Sequence, residues 1–121
     1  MASAEQKTLA DLFAEKGITQ PQEVGRKYDS NKSRYGLLKP QALEKMVAVL
    51  TYGANKYSAD NWKYVKDLHD RYFDAAQRHI WAYRSGEIND PESGLPHLAH
   101  AMCSLMFILQ TDLEEEEQYP F

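Results

Sequence analysis

Residues 97–113 read HLAHAMCSLMFILQTDL and contain a long apolar run that indicates the fold class. From residue 101 to residue 109 the side chains are apolar on nearly every side of a helix, and they show none of the two-residue alternation of a half-buried strand. A helix of this kind lies at the centre of a bundle or at an interface between subunits. We therefore predict a central helix over residues 93–113, with Ser93 as its N-cap and Pro96 in its first turn.

Helical spacing of apolar residues recurs in three earlier segments. Pro40 suits the first turn of a helix, and apolar side chains follow it at i, i+3, i+4 and i+7, namely Leu43, Met46, Val47 and Leu50. The three predicted helices cover residues 5–16, 40–54 and 66–85. No run in the chain alternates with a period of two. The predicted fold class is therefore all-α, a small helical bundle of three main helices plus a short N-terminal helix.

The chain of 121 residues and 13.9 kDa is large enough to bury a core, and we predict a single helical domain. We divide it into an N-terminal helix and loop (residues 1–31), a core that carries the candidate binding residues (residues 32–113) and an acidic tail (residues 114–121). The last helix is apolar all round, but only two other long helices are available to cover it. We therefore expect a homo-oligomer, at least a dimer.

Composition and charge exclude several classes of function. The formal net charge is −4, whereas a protein that binds duplex nucleic acid normally carries a basic surplus. No apolar run approaches the ~20 residues of a membrane span, and the N-terminus has no signal-peptide pattern. The single cysteine, Cys103, is expected to be a buried thiol in a reducing compartment. We therefore expect a cytoplasmic protein that binds neither duplex nucleic acid nor a membrane.

Histidines and carboxylates are concentrated in residues 78–100, which hold three of the four histidines. His97 and His100 stand at i and i+3, so they share one face of the last helix. Asp90 and Glu92 lie in the loop just before that helix. We predict that these four side chains bind a divalent metal. Oxygen ligands with a few imidazoles favour Mg²⁺ or Mn²⁺ over structural zinc.

Three side chains of the same region are assigned to catalysis, namely Glu87, Glu92 and His79. His79 belongs to the inward stripe of the preceding helix and is expected to face the same pocket. The alternative is that the polar cluster consists of turn, capping and core residues. The fourth histidine, His69, is expected at the surface.

A second polar cluster precedes the third helix. Lysine offers a point charge for phosphate and tryptophan offers a stacking face for a base, so we assign substrate binding to Lys56, Asn61 and Trp62 of this cluster. Two arginines outside the cluster, Arg78 and Arg34, are also assigned to substrate binding, as contacts to phosphate. The alternative is a solvated connector between helices, with Trp62 plugging the core.

The order of these motifs resembles a known phage family. KSRY at residues 32–35, YGANKY at 52–57, DPESG at 90–94 and HLAH at 97–100 occur in the order and spacing of the dATP/dGTP diphosphohydrolases (N-terminal domain type). The resemblance covers about residues 32–109. It implies a loosely MazG-like all-α enzyme that cleaves a nucleoside triphosphate to monophosphate and pyrophosphate with Mg²⁺.

The chain departs from MazG itself in its ligand pattern. MazG-like enzymes carry ExxE on one helix and ExxD on the next, whereas the corresponding helices here offer Asp74 with Arg78 and His79, and then His97 with His100. Metal ligands are therefore not carried over from MazG.

The sequence thus favours metal-dependent hydrolysis of purine deoxynucleoside triphosphates in a phage-infected bacterium. Two alternatives remain at this point. One is a non-catalytic phage protein that binds and sequesters a nucleotide, and the other is a structural helical adaptor.

Overall fold

The computed structural model describes residues 8–17 and 24–118, and the chain divides into two compact units, Met1–Arg34 and Tyr35–Phe121. The described part contains four α-helices and no β-strand, so the all-α prediction is confirmed. The helices are α1 (Leu9–Glu15), α2 (Pro40–Lys56), α3 (Leu68–Arg84) and α4 (His97–Gln118). In these residues no helix is both long enough and apolar enough to cross a membrane.

The first unit contains α1, which is held at its start by reciprocal hydrogen bonds. The Thr8 hydroxyl accepts from the backbone N–H of Asp11, and the Thr8 N–H donates to the Asp11 carboxylate, each at 3.1 Å. This capping box satisfies two of the N–H groups that a helix start leaves without a partner. The predicted helix began at residue 5, and residues 5–7 lie outside the described part.

The second unit is built around α4, which packs against α3 and α2. Its core joins Val49 of α2 to Ala99 and Cys103 of α4, and four half-buried side chains pack against them: Met46, Leu50, Leu95 and Phe107. The Cys103 thiol is buried, as predicted, and Sγ donates to the Met46 carbonyl oxygen at 3.4 Å. Burial raises the pKa of this thiol to about 11. Cys103 is therefore a structural side chain rather than a nucleophile.

An aromatic group connects the segment between α2 and α3 to the bundle. Asn61–Tyr64 form a short 3₁₀ helix, and the Trp62 ring stacks on Phe107 with centroids 4.5 Å apart. Tyr72 of α3 meets the same Phe107 ring edge-on at 5.1 Å. The connector is thereby packed against both α3 and α4.

The predicted start of the last helix at Ser93 is wrong, because α4 begins at His97. The loop before it folds back on itself: the Asp90 N–H donates to the Leu95 carbonyl at 2.8 Å, and Gly94 takes a φ of +74° that favours glycine. Pro96 stands just before the helix, where its missing N–H costs nothing.

The Ser93 hydroxyl has another function, since it accepts from the Leu95 N–H at 3.1 Å. Both ends of α2 and α3 and the end of α1 differ from the prediction by two residues or fewer, whereas α4 continues past residue 113 to Gln118.

Candidate functional site

The polar cluster forms because α3 and α4 run antiparallel. His69 of α3 contacts Asp112 of α4, Tyr72 contacts Phe107, and His79 contacts His97, so rising numbers on one helix meet falling numbers on the other. The end of α3 therefore lies beside the start of α4. The loop of residues 85–96 adds its carboxylates to the same place.

A chain of hydrogen bonds runs through the half-buried His79 and the buried His97. His97 Nε2 and Glu87 Oε1 are 2.6 Å apart, and the Nδ1 atoms of His97 and His79 are 2.8 Å apart. An ionised carboxylate only accepts, so we assign the His97 ring proton to Nε2. With its proton on Nε2, the His97 ring accepts at Nδ1 from the Nδ1–H of His79. Glu87 thereby fixes the orientation of the His97 ring.

His100 and Asp90 complete the cluster. The His100 ring stacks on His79 with centroids 4.6 Å apart and an interplanar angle of 10°. His100 Nε2 is 2.7 Å from the Ser93 hydroxyl oxygen and 3.8 Å from Asp90 Oδ2. The Ser93 N–H donates to Asp90 Oδ2 at 3.1 Å. A loop carboxylate is thus held against two stacked imidazoles.

Burial sets the protonation states in this cluster. Desolvation lowers the pKa of His79 to about 4, and positive charge on His100 or His97 would lower it further. Desolvation also lowers the pKa of His100. For Asp90, burial raises the pKa, but the hydrogen bonds from Ser93 outweigh this and leave the pKa below its ordinary value. At neutral pH the cluster therefore holds neutral His79 and His100 beside an ionised carboxylate.

The donor atoms fit a divalent cation. One ligand atom each of His79, Asp90 and His97 lie within 4.8 Å of one another. The Nδ1–Nδ1 separation of 2.8 Å is close to the ~3 Å between neighbouring ligands of a cation with bonds of ~2.1 Å. A cation there would replace the proton on His79 Nδ1, and the neutral His79 ring would then carry its proton on Nε2. The hydrogen bond from His97 to Glu87 is the outer-shell partner that a ligating histidine usually has.

Glu92 lies apart from this group, although the sequence placed it among the ligands. Its Oε2 accepts from the Tyr52 hydroxyl at 2.7 Å and from Lys56 Nζ at 2.6 Å. The Lys56 hydrogen bond is the main cause that lowers the pKa of Glu92, and the same bond raises the pKa of Lys56. Lys56 is therefore charged and is held by a carboxylate at the end of α2.

A cavity of about 620 Å³ opens beside the cluster. His79 and His100 line one side of it, and Trp62, Tyr72 and Phe107 supply aromatic walls. Lys56 and Asn61 also line the cavity. Its volume is in the range of pockets that hold small ligands, and it combines apolar walls with a few polar groups.

The remaining residues that the sequence singled out occupy three different settings. Asn61 and Trp62 are half-buried in the cavity wall. Arg78 is exposed on α3 and does not line the cavity. Arg34 is exposed and belongs to the first unit. The prediction that His69 lies at the surface is confirmed.

Tyr52 and Phe107 line the cavity but were not among the predicted site residues. Tyr52 stands four residues before Lys56, so the two side chains share a face of α2 and can hold one carboxylate together. That spacing was a usable signal. Phe107 was treated only as part of the apolar run, because nothing in the sequence of a helix that is apolar all round indicates which side chain borders a cavity.

Comparison with known proteins points to one family. The family described as dATP/dGTP diphosphohydrolase, N-terminal, matches residues 22–119. A protein of Salmonella phage PMBT28 named dATP/dGTP diphosphohydrolase is 38% identical over 85 residues, which make up 70% of this chain. The matched segment spans only 29% of that relative's length. No solved structure matches the chain significantly.

Proposed function

The chain belongs to the dATP/dGTP diphosphohydrolase N-terminal family, and from that premise we propose that it hydrolyses purine deoxynucleoside triphosphates with the help of a divalent metal. The products would be the monophosphate and pyrophosphate. The relative's name supports the substrate class, but it belongs to a protein more than three times as long as the matched segment.

The observation that carries the proposal is the position of His79. This side chain belongs to the group of three ligating residues, and it also lines the cavity of about 620 Å³. A cation held by His79, Asp90 and His97 would therefore be next to whatever fills the cavity. From that position the cation would contact the phosphoryl oxygens of a nucleotide bound in the cavity.

Mg²⁺ prefers oxygen ligands, whereas two imidazoles and one carboxylate suit a transition metal better. Of the two predicted ions, Mg²⁺ and Mn²⁺, we therefore propose that Mn²⁺ binds more tightly. Such an ion, when bound, would polarise a phosphoryl oxygen and lower the pKa of a water molecule. Glu87 would keep the His97 ring in its ligating orientation by accepting from Nε2. Asp90 would supply the negative charge that balances the cation.

The phosphate chain would be bound by Lys56. Its ammonium group lines the cavity and is charged, and a point charge of this kind is suited to phosphate oxygens. Glu92 and Tyr52 would act as positioning residues that hold the lysine in place before the substrate arrives. We therefore propose for Glu92 a role beside the substrate rather than on the metal.

The base would lie among the aromatic side chains. Trp62, Tyr72 and Phe107 form a wall of flat apolar surface, and each base has a face that can stack on such rings. The Asn61 side chain also lines the cavity, and its amide can both donate to and accept from a base edge. Arg78 and Arg34 remain proposed phosphate contacts on the sequence argument alone.

We propose that the protein works in the cytoplasm of the infected cell, where deoxynucleoside triphosphates are present and a free thiol such as Cys103 stays reduced. The test is incubation of the purified chain with each deoxynucleoside triphosphate and Mn²⁺ or Mg²⁺, with separation of the products by ion-exchange chromatography. We expect monophosphate and pyrophosphate from dATP and dGTP, and no reaction after chelation of the metal.

Two outcomes would contradict the proposal. Release of orthophosphate would show that a different bond is cleaved. Tight binding of a nucleotide that stays intact with either metal would instead support the sequestering protein.

A further inference from the structure

One face of α4 is apolar and has no partner within the described residues. Five side chains form it, and we call them the α4 stripe: Leu98, Met102, Leu105, Leu109 and Leu113. They recur every three to four residues, and each is between 41% and 58% exposed. The stripe is about 22 Å long, at 1.5 Å per residue. Five large side chains in one row make a patch of a few hundred Å², which is typical of an interaction site.

The other faces of α4 are already occupied. Ala99, Cys103 and Phe107 pack toward α2, and His97, His100 and Phe107 contact α3. The stripe lies on the remaining third of the helix circumference. No charged side chain occurs between His100 and Asp112, so a partner meets a purely neutral surface along most of the stripe.

We propose that the α4 stripe pairs with the α4 stripe of a second copy of this chain, and that the two helices run antiparallel about a two-fold axis near Leu105. A stripe that is apolar along its whole length is complementary to itself, as a two-fold interface requires. Its spacing of four and three residues is that of helices that pack side by side.

The acidic end of α4 determines the direction of pairing. Glu114, Glu115 and Glu116 are exposed on the last turns of α4, and Asp112 precedes them. A parallel pair would bring the two acidic ends together, and like charges at that distance repel. An antiparallel pair separates the two acidic ends by about the length of the stripe.

Pairing with a second copy doubles the mass of the particle in solution, whereas an unpaired stripe leaves it at the mass of one chain. Light scattering of the full chain at micromolar concentration should give twice the chain mass of 13.9 kDa. Leu105→Lys should return the protein to the mass of one chain. Leu38→Lys is the matched control, since Leu38 is equally exposed outside α4 and should leave the mass doubled.

Cysteine cross-linking tests the direction and does not require the lysine variant to fold. Leu105→Cys lies at the two-fold axis and should form a disulfide-linked dimer on mild oxidation, whereas Leu113→Cys alone should not. Cys103 does not interfere, because it is buried. Equal cross-linking by both variants would indicate a parallel pair and overturn the proposal. A wild-type chain with the mass of one copy would overturn it as well.

Discussion

The paired helices α3 and α4 hold two groups of histidine and carboxylate, one at each end. His79, Asp90 and His97 meet where α4 begins, and His69, Asp112 and Glu115 meet near its end. In both groups one ligand atom from each residue lies within 4.8 Å of the others. The two groups contain similar side chains, but those at the start of α4 are buried or half-buried, whereas those near its end are exposed.

Burial gives the two histidine groups opposite electrostatic properties. Desolvation lowers the pKa of His79 to about 4, whereas the hydrogen bond that His69 donates to Asp112 raises the pKa of the exposed His69. His79 is therefore neutral at pH 7 and can offer a lone pair to a cation. His69 tends toward the charged form and makes a surface ion pair with Asp112 at 2.6 Å. Residue type alone does not distinguish a candidate metal site from a salt bridge, but burial does.

The largest effect should come from removing one imidazole from each group. His79→Gln keeps a polar side chain of similar size but removes the ring, so we expect hydrolysis of dATP with Mn²⁺ to fall by at least about 100-fold. The matched variant His69→Gln should stay within about twofold of the wild type. Circular dichroism should show unchanged helicity in both proteins. Equal losses of activity in the two variants would remove the distinction between the groups.

A smaller loss is expected when the outer carboxylate is neutralised. Glu87→Gln can still accept from His97 Nε2 through its amide oxygen, but it loses the negative charge that makes the ring more basic. We expect Mn²⁺ affinity, measured as the metal dependence of activity, to fall by about tenfold. Glu115→Gln is the control in the exposed group and should leave the metal dependence unchanged. A tenfold shift in the control instead would assign the metal to the exposed end.

The pKa values of His79 and His69 should be shifted in opposite directions from the ordinary value of histidine. Proton NMR should follow His79 to a midpoint near pH 4, and His69 to a midpoint above its ordinary value of about 6.5. Because the folded state releases the His79 proton more readily than the unfolded state, stability should fall as the pH drops from about 6.5 toward 4. A His79 midpoint near 6.5 would show that the ring is hydrated.

The smallest effect concerns the exposed ion pair. Since the folded pKa of His69 is raised, its contribution to stability is full below the unfolded pKa of about 6.5 and is lost as the pH rises through the folded value. Asp112→Asn should therefore destabilise the protein by at most about 1 kcal/mol at pH 6, and by less at pH 9. Urea unfolding at the two pH values measures the difference. A larger loss at pH 9 would contradict the assignment.

Much of the fold could be predicted because apolar periodicity indicates helices directly. The run after Pro40 and the stretch from residue 101 to residue 109 indicated α2 and α4 without ambiguity. The start of α4 was misplaced because Ser93 is a good N-cap residue, yet its hydroxyl binds His100 and the Leu95 N–H instead. That choice depends on the folded loop and not on local propensity.

The sequence indicated which part of the chain forms the candidate site, but it did not indicate how the side chains are arranged in space. The i and i+3 spacing indicated that His97 and His100 share a face, and the antiparallel helices brought His79 to them. The partner of Glu92 could not be foreseen, because Lys56 is 36 residues away in the chain and only the packing of α2 brings it near. Burial, which separates the two histidine groups, is a property of the whole bundle.

We propose that the buried group binds a divalent cation and that the exposed group does not. Isothermal titration calorimetry of the wild-type chain, His79→Gln and His69→Gln with Mn²⁺, in the absence of nucleotide, measures this difference. We expect one binding site in the wild type and in His69→Gln, and none in His79→Gln. Loss of the site in His69→Gln with its retention in His79→Gln would contradict the account, as would a wild-type chain that binds no Mn²⁺.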